Sequence, residues 1–548
     1  MLFPTFDFLI FIIPVLLFAW AFAHAPKVRV PLLIAASYFF YMAGPKTDPL
    51  PAPWYFAGLL ALSTVLDYVC SARIHARRAD FEGGDPGRKA SAGRERNLWL
   101  GLSLVGNLGL LGYFKYTNFL LEAFSDVARA LGAEVVVPHL ELILPVGISF
   151  YTFQTLSYTI DVWRRRLTPE PSFAKFALFV VFFPQLVAGP IVRASELLPQ
   201  FHRRPDLSGE RLTEGLFRVF VGLFKKVILG DWIASSFTDA VFAGPTTYTS
   251  MELLLALYAF TLQLYCDFAG YSDIAIGVSK MLGYSIPENF DRPYQSRNLG
   301  EFWRRWHMTL SSWLRDYLFF PLGGSKLGPT RTYFNLWLTM FLVGMWHGAS
   351  WNFVIYANLH ALAMVYNRWN RLRPKGRTPL GVLGFVAGAA ALAGVIAALG
   401  VHVLHLGGEP AAILAGLGAL FFLLVSWLPE TGTAGNTALH VLLTFHFTVL
   451  SRVFFRADDL ETSRQMIAGL LAFDGRGLRE GLLSPWLWAA LIGGIAYHFT
   501  PRRWVHEVGY DLFRRIPGVV LGVLFAGLIL GIMKLMSGAP KAFIYFQF

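Results

Sequence analysis

The chain has 548 residues, of which 55% are hydrophobic and only 15% are charged, whereas soluble domains carry about 25% charged residues. This composition excludes a soluble globular protein and indicates an all-α polytopic membrane protein, because apolar stretches of roughly 20 residues recur along the whole chain. The formal net charge is +12. Lys and Arg concentrate between the apolar stretches, which is typical of cytoplasmic loops and argues against nucleic-acid binding.

The first apolar stretch, FDFLIFIIPVLLFAWAFA, begins at Phe6. Residues 1–7 contain no Lys or Arg, so the basic region of a secretory signal is missing and we expect a retained span. Cys70 and Cys266 both lie in apolar stretches, without CxxC or histidine spacing. They predict buried core thiols, and no metal site is expected.

The most basic early connection, residues 73–96, sets the predicted sidedness of the chain. It is polar and rich in glycine, and it predicts a mobile cytoplasmic loop. Counting spans backwards from it places the N-terminus outside. Counting forwards predicts spans near 97–119 and 140–161.

The apolar stretch FAKFALFVVFFPQLVAGPIV does not fit a single crossing. Basic residues flank it on both sides, and Pro184 and the pair Gly189-Pro190 interrupt helical geometry. Irregular backbone at membrane depth persists only where protein covers it or where it lines a cavity. We therefore predict a re-entrant element from Phe183 to Ile191.

Two later spans, near 214–230 and 251–272, lead to a long cytoplasmic segment, residues 273–331. The following basic cluster, NRLRPKGR, is also predicted inside, so an even number of crossings separates it from this segment. The apolar residues between them, 333–368, are barely enough for two helices at about 1.5 Å per residue. They predict a short hairpin. Further spans are predicted near 30–43, 53–72, 379–400, 411–428, 437–455, 484–499 and 518–536, with the terminal FIYFQF outside.

The hairpin turn is predicted from His347 to Trp351, in the motif MWHGASW. Two short arms cannot carry this turn clear of the bilayer, so we expect it deep in the protein and reachable from the outer half. An imidazole there is either a packed structural residue or a functional one, because ionisable groups at membrane depth usually face a cavity or a partner.

The segment FWRRWHMTLSSWLRDY predicts an interfacial amphipathic helix. At 100° per residue the apolar side chains form one stripe about 100° wide, with charged side chains opposite. The stripe consists of Trp306, Leu310, Trp313, Leu314 and Tyr317, and the opposite face of Arg304, Arg305, Arg315 and Asp316. His307 lies on the flank of the stripe and can point inward.

Two histidines are candidates for chemistry. His307 on the cytoplasmic side and His347 at the hairpin turn could line one channel from opposite approaches. His360 is 13 residues after His347, about 220° around a continuous helix, so we expect a supporting or structural role. Asp267 and other polar residues in apolar stretches need buried partners, for which interhelical hydrogen bonds are the structural alternative. These others are Lys115, Asn118, Gln154, Asp161 and Asp273.

The candidate histidines fit a role as general base better than nucleophilic serine, phosphate-binding or metal-dependent chemistry. The chain lacks a GxSxG elbow, a P-loop, an HExxH motif and an acidic metal cluster. A buried imidazole is biased toward its neutral, proton-accepting form and can take a proton from a hydroxyl.

The segments RPYQSRNLGEFWRRWHMTLSSWLRDYLFFPLGGS and MWHGASWNFVIYANLHAL resemble the membrane-bound O-acyltransferase family. More narrowly, they resemble its bacterial alginate O-acetyltransferase type. LPVGISFYTFQTLSYTIDVWRRR, FPQLVAGPIVRASELLPQF and FIYFQF are similar as well, so the resemblance covers nearly the whole chain. It implies one integral-membrane domain over residues 1–548, a helical bundle around a central tunnel. In YANLHAL the chain departs from the Gly-containing WGALHG of relatives, which leaves the role of His360 open.

The resemblance also implies roles. His347 matches the family's catalytic histidine and His307 its second position, with His347 either a general base or a transient acyl carrier. Acetyl-CoA would be a substrate from the cytoplasm, with no bound cofactor. A periplasmic esterase-like partner would pass the acetyl group to an exported polysaccharide, outside a bacterial cytoplasmic (inner) membrane. The donor-side and tunnel candidates are Trp303, Arg304, Arg305, Trp306, Arg315, Trp346, Trp351 and Asn358.

Three alternatives stay open at this point. The arginines could meet CoA phosphates or anchor the chain to lipid headgroups. The acyl group could be D-alanyl or another group, transferred to a cell-wall polymer. In a different class, the chain could transport a polysaccharide precursor, although the absence of an evident internal repeat and the paired histidine motifs argue against this.

Overall fold

The computed structural model describes residues 1, 3–43, 55–372, 379–427 and 433–535. Over these ranges all regular structure is helical. Within these described ranges, four helical stretches are long and apolar enough to cross a membrane: Tyr55–Gly83, Pro86–Ala130, Ser250–Met281 and Ala434–Arg456. The predicted all-α polytopic class is confirmed. The expectations for FIYFQF and for most of NRLRPKGR lie outside the described residues.

The helices fall into two compact units, which share the long helix α12 (Ser250–Met281). The first unit comprises Met1–Lys226, Phe268–Asn289 and Arg502–Phe548. Its other α-helices are α1 (Phe6–Ala21), α2 (Pro26–Met42), α3 (Tyr55–Ala76), α4 (Arg78–Gly83), α5 (Pro86–Ala130), α6 (Ile148–Trp163), α7 (Phe173–Val181), α8 (Phe183–Leu186), α9 (Ala194–Phe201), α10 (Gly209–Leu223), α22 (Gly509–Phe513) and α23 (Gly518–Leu535).

The second unit comprises Val227–Asp267 and Phe290–Pro501. Its other α-helices are α11 (Asp239–Ala243), α13 (Leu299–Arg305), α14 (Met308–Leu314), α15 (Pro329–His347), α16 (Trp351–Leu372), α17 (Pro379–His402), α18 (Gly408–Trp427), α19 (Ala434–Arg456), α20 (Leu460–Leu471) and α21 (Pro485–Phe499). Wider π-helical turns cover Phe224–Asp231, Ala234–Thr238, Arg315–Phe319 and Trp504–Val508, and short 3-10 turns cover Pro245–Thr247 and Pro293–Gln295.

A buried carboxylate joins three helices of the first unit. Asp67 of α3 is fully buried and accepts hydrogen bonds from Ser103 and Asn107 of α5 and from Thr159 of α6. The Asn107 and Thr159 distances are 2.8 and 3.0 Å. Because an unsatisfied carboxyl group inside apolar helices is costly, these donors satisfy its oxygens and link the three helices.

The expectation of a mobile loop at residues 73–96 is wrong, because most of this stretch is helical. Asp85 caps α5 by accepting a hydrogen bond of 2.8 Å from the Arg88 N–H, and Pro86 suits the first helical position. An ion pair of 2.7 Å links Arg77 to Glu95. Paired charges therefore organise this basic stretch as helix.

The span expected near 140–161 begins later than predicted, since helix α6 starts only at Ile148. The turn before it contains Gly147, which has a φ of +73°. A β-carbon there would lie 2.7 Å from the Leu186 carbonyl oxygen. Glycine therefore permits both the left-handed backbone and the close approach that set the start of the helix.

The predicted helix break in FAKFALFVVFFPQLVAGPIV is confirmed. Helix α7 has nine residues and α8 only four, and nine residues rise about 14 Å, less than half of a bilayer core. Every residue from 176 to 192 is buried. A re-entrant element requires irregular backbone that is covered by protein, and this segment has it. Whether the segment re-enters the membrane stays a prediction.

Residues 333–368 lie in two helices that meet at the predicted turn. Helix α15 ends at His347 and α16 begins at Trp351. The arms approach closely at Gly344, where an added β-carbon would lie 2.3 Å from the Ala357 β-carbon. The glycine lets the two backbones pack together and fixes the position of the turn.

Candidate active site

His307 lies at a break in the chain rather than within one amphipathic helix, so the expectation of a single continuous helix is wrong. Helix α13 ends at Arg305, and His307 has a left-handed backbone with a φ of 43°. Such a conformation costs on the order of 1–3 kcal/mol for a residue with a side chain. Hydrogen bonds hold both flanks: Asp291 N–H to the Arg305 carbonyl at 2.9 Å, and Ser311 N–H to the His307 carbonyl at 3.0 Å.

The break turns side chains of this segment inward. Trp306 is 1% exposed and His307 is fully buried. The rest of the predicted apolar stripe is also buried, whereas Arg304 and Arg315 are exposed. The hydrophobic pattern therefore predicts correctly which side chains are buried, although no regular helix extends across the segment. The residues before and after the break at His307 bury the same predicted stripe.

His347 lies at the last position of helix α15 and is 3% exposed. The next residue, Gly348, leaves room for the Phe353 ring, which would lie 2.0 Å from an added β-carbon. Aromatic rings surround the imidazole: centroid distances are 5.1 Å to Trp346, 5.3 Å to Phe455 and 6.4 Å to Tyr356. The turn thus presents the histidine to a water-poor, aromatic environment.

Both candidate histidines contact the same indole. The Trp346 ring centroid lies 5.6 Å from that of His307 and 5.1 Å from that of His347. Burial lowers the pKa of His307, which lies outside the four long apolar helices, to about 3, so its imidazole is neutral at physiological pH. Two segments 40 residues apart in sequence therefore bring imidazoles to one site.

Arg452 completes this site and is not among the residues predicted from the sequence. It lies on helix α19 and is 1% exposed. Its guanidinium carbon is 5.1 Å from the Trp306 ring centroid and 5.2 Å from that of Phe455, and Nη1 donates a hydrogen bond of 3.1 Å to the Tyr356 hydroxyl. A lone arginine inside an apolar span was the available signal, because such residues usually face functional cavities.

His360 packs back onto the site because the chain reverses after His347. Its ring centroid is 4.5 Å from that of Tyr356, which also borders His347, and 5.5 Å from that of Trp303. Its Nε2 lies 3.1 Å from the Ser451 hydroxyl. The 220° separation expected on a continuous helix does not apply across a turn.

The remaining predicted residues occupy different surroundings. Trp303 is buried beside His360, and Asp267 is buried on helix α12. Arg305 forms an ion pair with Glu301 and Arg315 one with Asp316, at 2.7 and 2.9 Å.

The last two candidates belong to helix α16. Trp351 is 38% exposed. Asn358 accepts a hydrogen bond of 3.1 Å from the Trp337 indole N–H and so links the two hairpin arms. Both cysteines are buried thiols, as predicted.

The family model described as MBOAT, membrane-bound O-acyltransferase family, matches residues 120–375. A probable alginate O-acetylase of Azotobacter vinelandii is 41% identical over 385 residues, which cover 69% of this chain and 72% of that protein. A peptidoglycan O-acetyltransferase of Helicobacter pylori is 34% identical over 485 residues, 84% of this chain and 76% of that protein. The chain belongs to the membrane-bound O-acyltransferase family, and its class of activity is O-acyl transfer.

Within that family the chain is similar to several proteins named as probable alginate O-acetylases, at about 40% identity. A teichoic acid D-alanyltransferase of Bacillus subtilis is also similar, at 32% identity over 247 residues. That similarity covers only 43% of this chain and 62% of the relative. The D-alanyl branch of the family is therefore the more distant one.

Proposed function

We propose that this chain transfers an acetyl group from cytoplasmic acetyl-CoA to a hydroxyl, for O-acetylation of an exported polysaccharide. The observation that carries the proposal is the pair of buried histidines, His307 and His347, on the shared Trp346 indole. An imidazole in its neutral form can accept a proton from an alcohol. Membership of an acyltransferase family supplies the class of reaction.

In the general-base reaction His347 takes the proton of the acceptor hydroxyl. The alkoxide oxygen forms a bond to the thioester carbonyl carbon, and the carbon–sulfur bond then breaks. The departing thiolate receives the proton from the His347 imidazolium, so the enzyme is restored. His307 would orient the donor or assist this proton transfer. The guanidinium of Arg452 contributes a fixed positive charge to the same aromatic cluster.

In the carrier reaction His347 itself attacks the thioester. An acyl-imidazole forms, CoA leaves as the thiol, and the acceptor hydroxyl then displaces the imidazole. The same geometry serves both reactions. They differ in whether label from acetyl-CoA becomes bound to the protein when no acceptor is present.

The donor side and the partners complete the proposal. Arg304 is exposed and Arg305 is only partly buried, so cations are available near the site for the CoA phosphates. A periplasmic esterase-like protein would receive the acetyl group and modify the polysaccharide. The location would be the cytoplasmic (inner) membrane of a bacterium; the four helices among the described residues that are long and apolar enough to cross a membrane support this proposal.

Replacement of His347 tests the assignment. His347→Ala is expected to abolish transfer of radiolabelled acetyl from acetyl-CoA in purified membranes, while the protein accumulates in the membrane at its usual level. His139→Ala is the matched control, because the His139 side chain is 73% exposed and its loss should leave transfer unchanged. Retained transfer in His347→Ala would exclude both roles proposed for this histidine. A carrier role additionally requires label on the wild-type protein without acceptor.

The acyl group is tested in the same membranes. Acetyl-CoA is compared with a D-alanyl carrier-protein thioester as donor, because relatives of both names are similar to this chain. The proposal expects His347-dependent transfer from acetyl-CoA. Transfer from the D-alanyl thioester alone would assign the chain to the other branch.

A further inference from the structure

The hydrogen bonds of Ser451 fix the tautomer of His360. The single proton of the Ser451 hydroxyl is donated to the Thr448 carbonyl at 2.9 Å. The Ser451 oxygen is therefore the acceptor in its contact of 3.1 Å with His360 Nε2. A neutral imidazole that donates from Nε2 carries its lone pair on Nδ1. His360 thus presents an acceptor nitrogen inside the second unit.

Two polar atoms on neighbouring rings lack hydrogen-bond partners. His360 Nδ1 and the Trp303 indole Nε1 are both buried and, among the described residues, neither has a hydrogen-bond partner. The two rings meet edge to face, with centroids 5.5 Å apart and an interplanar angle of 81°. One atom accepts and the other donates. Buried polar groups are normally satisfied, so this pair indicates a ligand.

The two atoms define the chemistry of that ligand. A hydroxyl oxygen donates one hydrogen bond and accepts others, so one oxygen can satisfy both atoms. A carboxylate or phosphate oxygen has no proton for Nδ1, and an ammonium has no lone pair for the indole N–H. A secondary amide has both functions, but its N–H and C=O point in opposite directions across the trans peptide plane.

The location agrees with a role in the transfer reaction. Tyr356 lies 4.5 Å from His360 and 6.4 Å from His347, measured between ring centroids. Its hydroxyl accepts a hydrogen bond from Arg452. The pair of free atoms therefore borders the same aromatic cluster as the histidine proposed to act on the acceptor.

We propose that His360 Nδ1 and Trp303 Nε1 form a subsite for the hydroxyl of the acyl acceptor, with the hydroxyl donating to His360 and accepting from Trp303. This inference rests on the proposed function. It moves Trp303 from the donor side, where the sequence placed it, to the acceptor side. Both residues bind and orient the acceptor in this scheme, and the proton is removed by His347.

Substitutions that change one atom at a time test the subsite. In Trp303→Phe the ring remains beside His360 but the N–H is lost. His360→Gln can keep the donor near the Nε2 position and loses the acceptor, whereas in His360→Asn the amide oxygen can replace Nδ1. Trp20→Phe is the matched control, since it removes an indole N–H that donates to the Met281 carbonyl in the first unit.

The measurement is acetyl transfer from radiolabelled acetyl-CoA in proteoliposomes to a methyl glycoside, a soluble alcohol that substitutes for the natural acceptor hydroxyl, together with acceptor-independent hydrolysis of acetyl-CoA. We expect Trp303→Phe and His360→Gln to raise the KM for the glycoside by roughly three- to tenfold, the usual value of one neutral hydrogen bond. The KM for acetyl-CoA should be unchanged, and His360→Asn should recover part of the loss. Trp20→Phe should leave both KM values unchanged.

Other results would overturn the inference. A raised KM for acetyl-CoA with an unchanged KM for the glycoside would place a donor amide at the subsite. Unchanged KM values for both substrates in Trp303→Phe and His360→Gln would indicate that His360 Nδ1 and Trp303 Nε1 bind water rather than the acceptor. Either result leaves the proposed function intact as long as transfer still depends on His347, so the two failures are distinguishable.

Discussion

Arg452 shows how a single residue can carry a charge inside an apolar helix. Helix α19 is apolar enough to cross a membrane, yet its arginine is 1% exposed. The planar guanidinium lies near three aromatic rings, Trp306, Phe455 and Tyr356, and donates to the Tyr356 hydroxyl. Cation–π contacts and a hydrogen bond compensate for part of the lost hydration.

Replacing this guanidinium by an ammonium should therefore be destabilising. In Arg452→Lys the buried charge remains, but the planar stacking and the directed hydrogen bond are lost. We expect a loss of about 1–3 kcal/mol in the free energy of unfolding, measured by thermal unfolding of the purified protein in detergent. Tyr356→Phe is the matched comparison, because it removes only the hydroxyl and should cost about 1 kcal/mol. A lysine variant as stable as the wild type would contradict this account.

The same residues show the reach of sequence reasoning at the site. His307 and His347 were found because each lies in a short motif whose chemistry is visible locally. Arg452 was not found, because its contacts with Trp306 and Tyr356 join positions about 100 or more residues apart. No local periodicity encodes such contacts. Which buried polar atoms lack partners likewise becomes visible only in the structure.

Whole helices were predictable where the argument concerned net charge and length. The hairpin and its turn followed from the basic clusters on either side of a short apolar stretch. The break at His307 did not, because a helical wheel assumes continuity and a left-handed histidine has no sequence signature. The loop prediction for residues 73–96 failed for another reason. A polar, Gly-rich composition suggests a loop, but the helix cap at Asp85 and ion pairs such as Arg77–Glu95 stabilise helix there.

The hairpin makes a prediction about its own packing. An alanine at Gly344 would place a β-carbon 2.3 Å from that of Ala357, so the arms must separate and His347 must move. We expect Gly344→Ala to lower acetyl transfer at least tenfold, because catalysis depends on sub-ångström positioning. Gly58→Ala is the matched control, since no atom lies within 4 Å of an added β-carbon there, and it should retain full transfer. Equal transfer activity of the two variants would show that close packing at Gly344 does not determine the catalytic position of His347.

The molecule as a whole is a membrane protein whose buried interior is rich in polar groups. The first unit contains Asp67 with its three donors, and the second unit contains the histidines with Arg452. Composition predicted the membrane class, because 15% charged residues cannot cover a soluble surface of this size. It could not predict which polar residues meet, since hydropathy averages over side chains and contains no contact information.

The sidedness of the chain is the property of the whole molecule that charge predicts most directly. Helix α5 has 45 residues, about 68 Å at 1.5 Å per residue, and exceeds the bilayer core of about 30 Å. Both of its ends should therefore project into water. The bias of Lys and Arg toward the cytoplasm places its basic N-terminal end inside and its C-terminal end outside.

Single cysteines at the two ends of helix α5 test this orientation. Ser91 is exposed near the basic end, and Val136, just beyond the other end, is 97% exposed. The native thiols Cys70 and Cys266 are buried, so the wild type should not react and serves as the background. We expect a membrane-impermeant maleimide to label Val136→Cys in intact cells, and Ser91→Cys only in inverted membrane vesicles. Labelling of Ser91→Cys in intact cells would reverse the predicted orientation of helix α5.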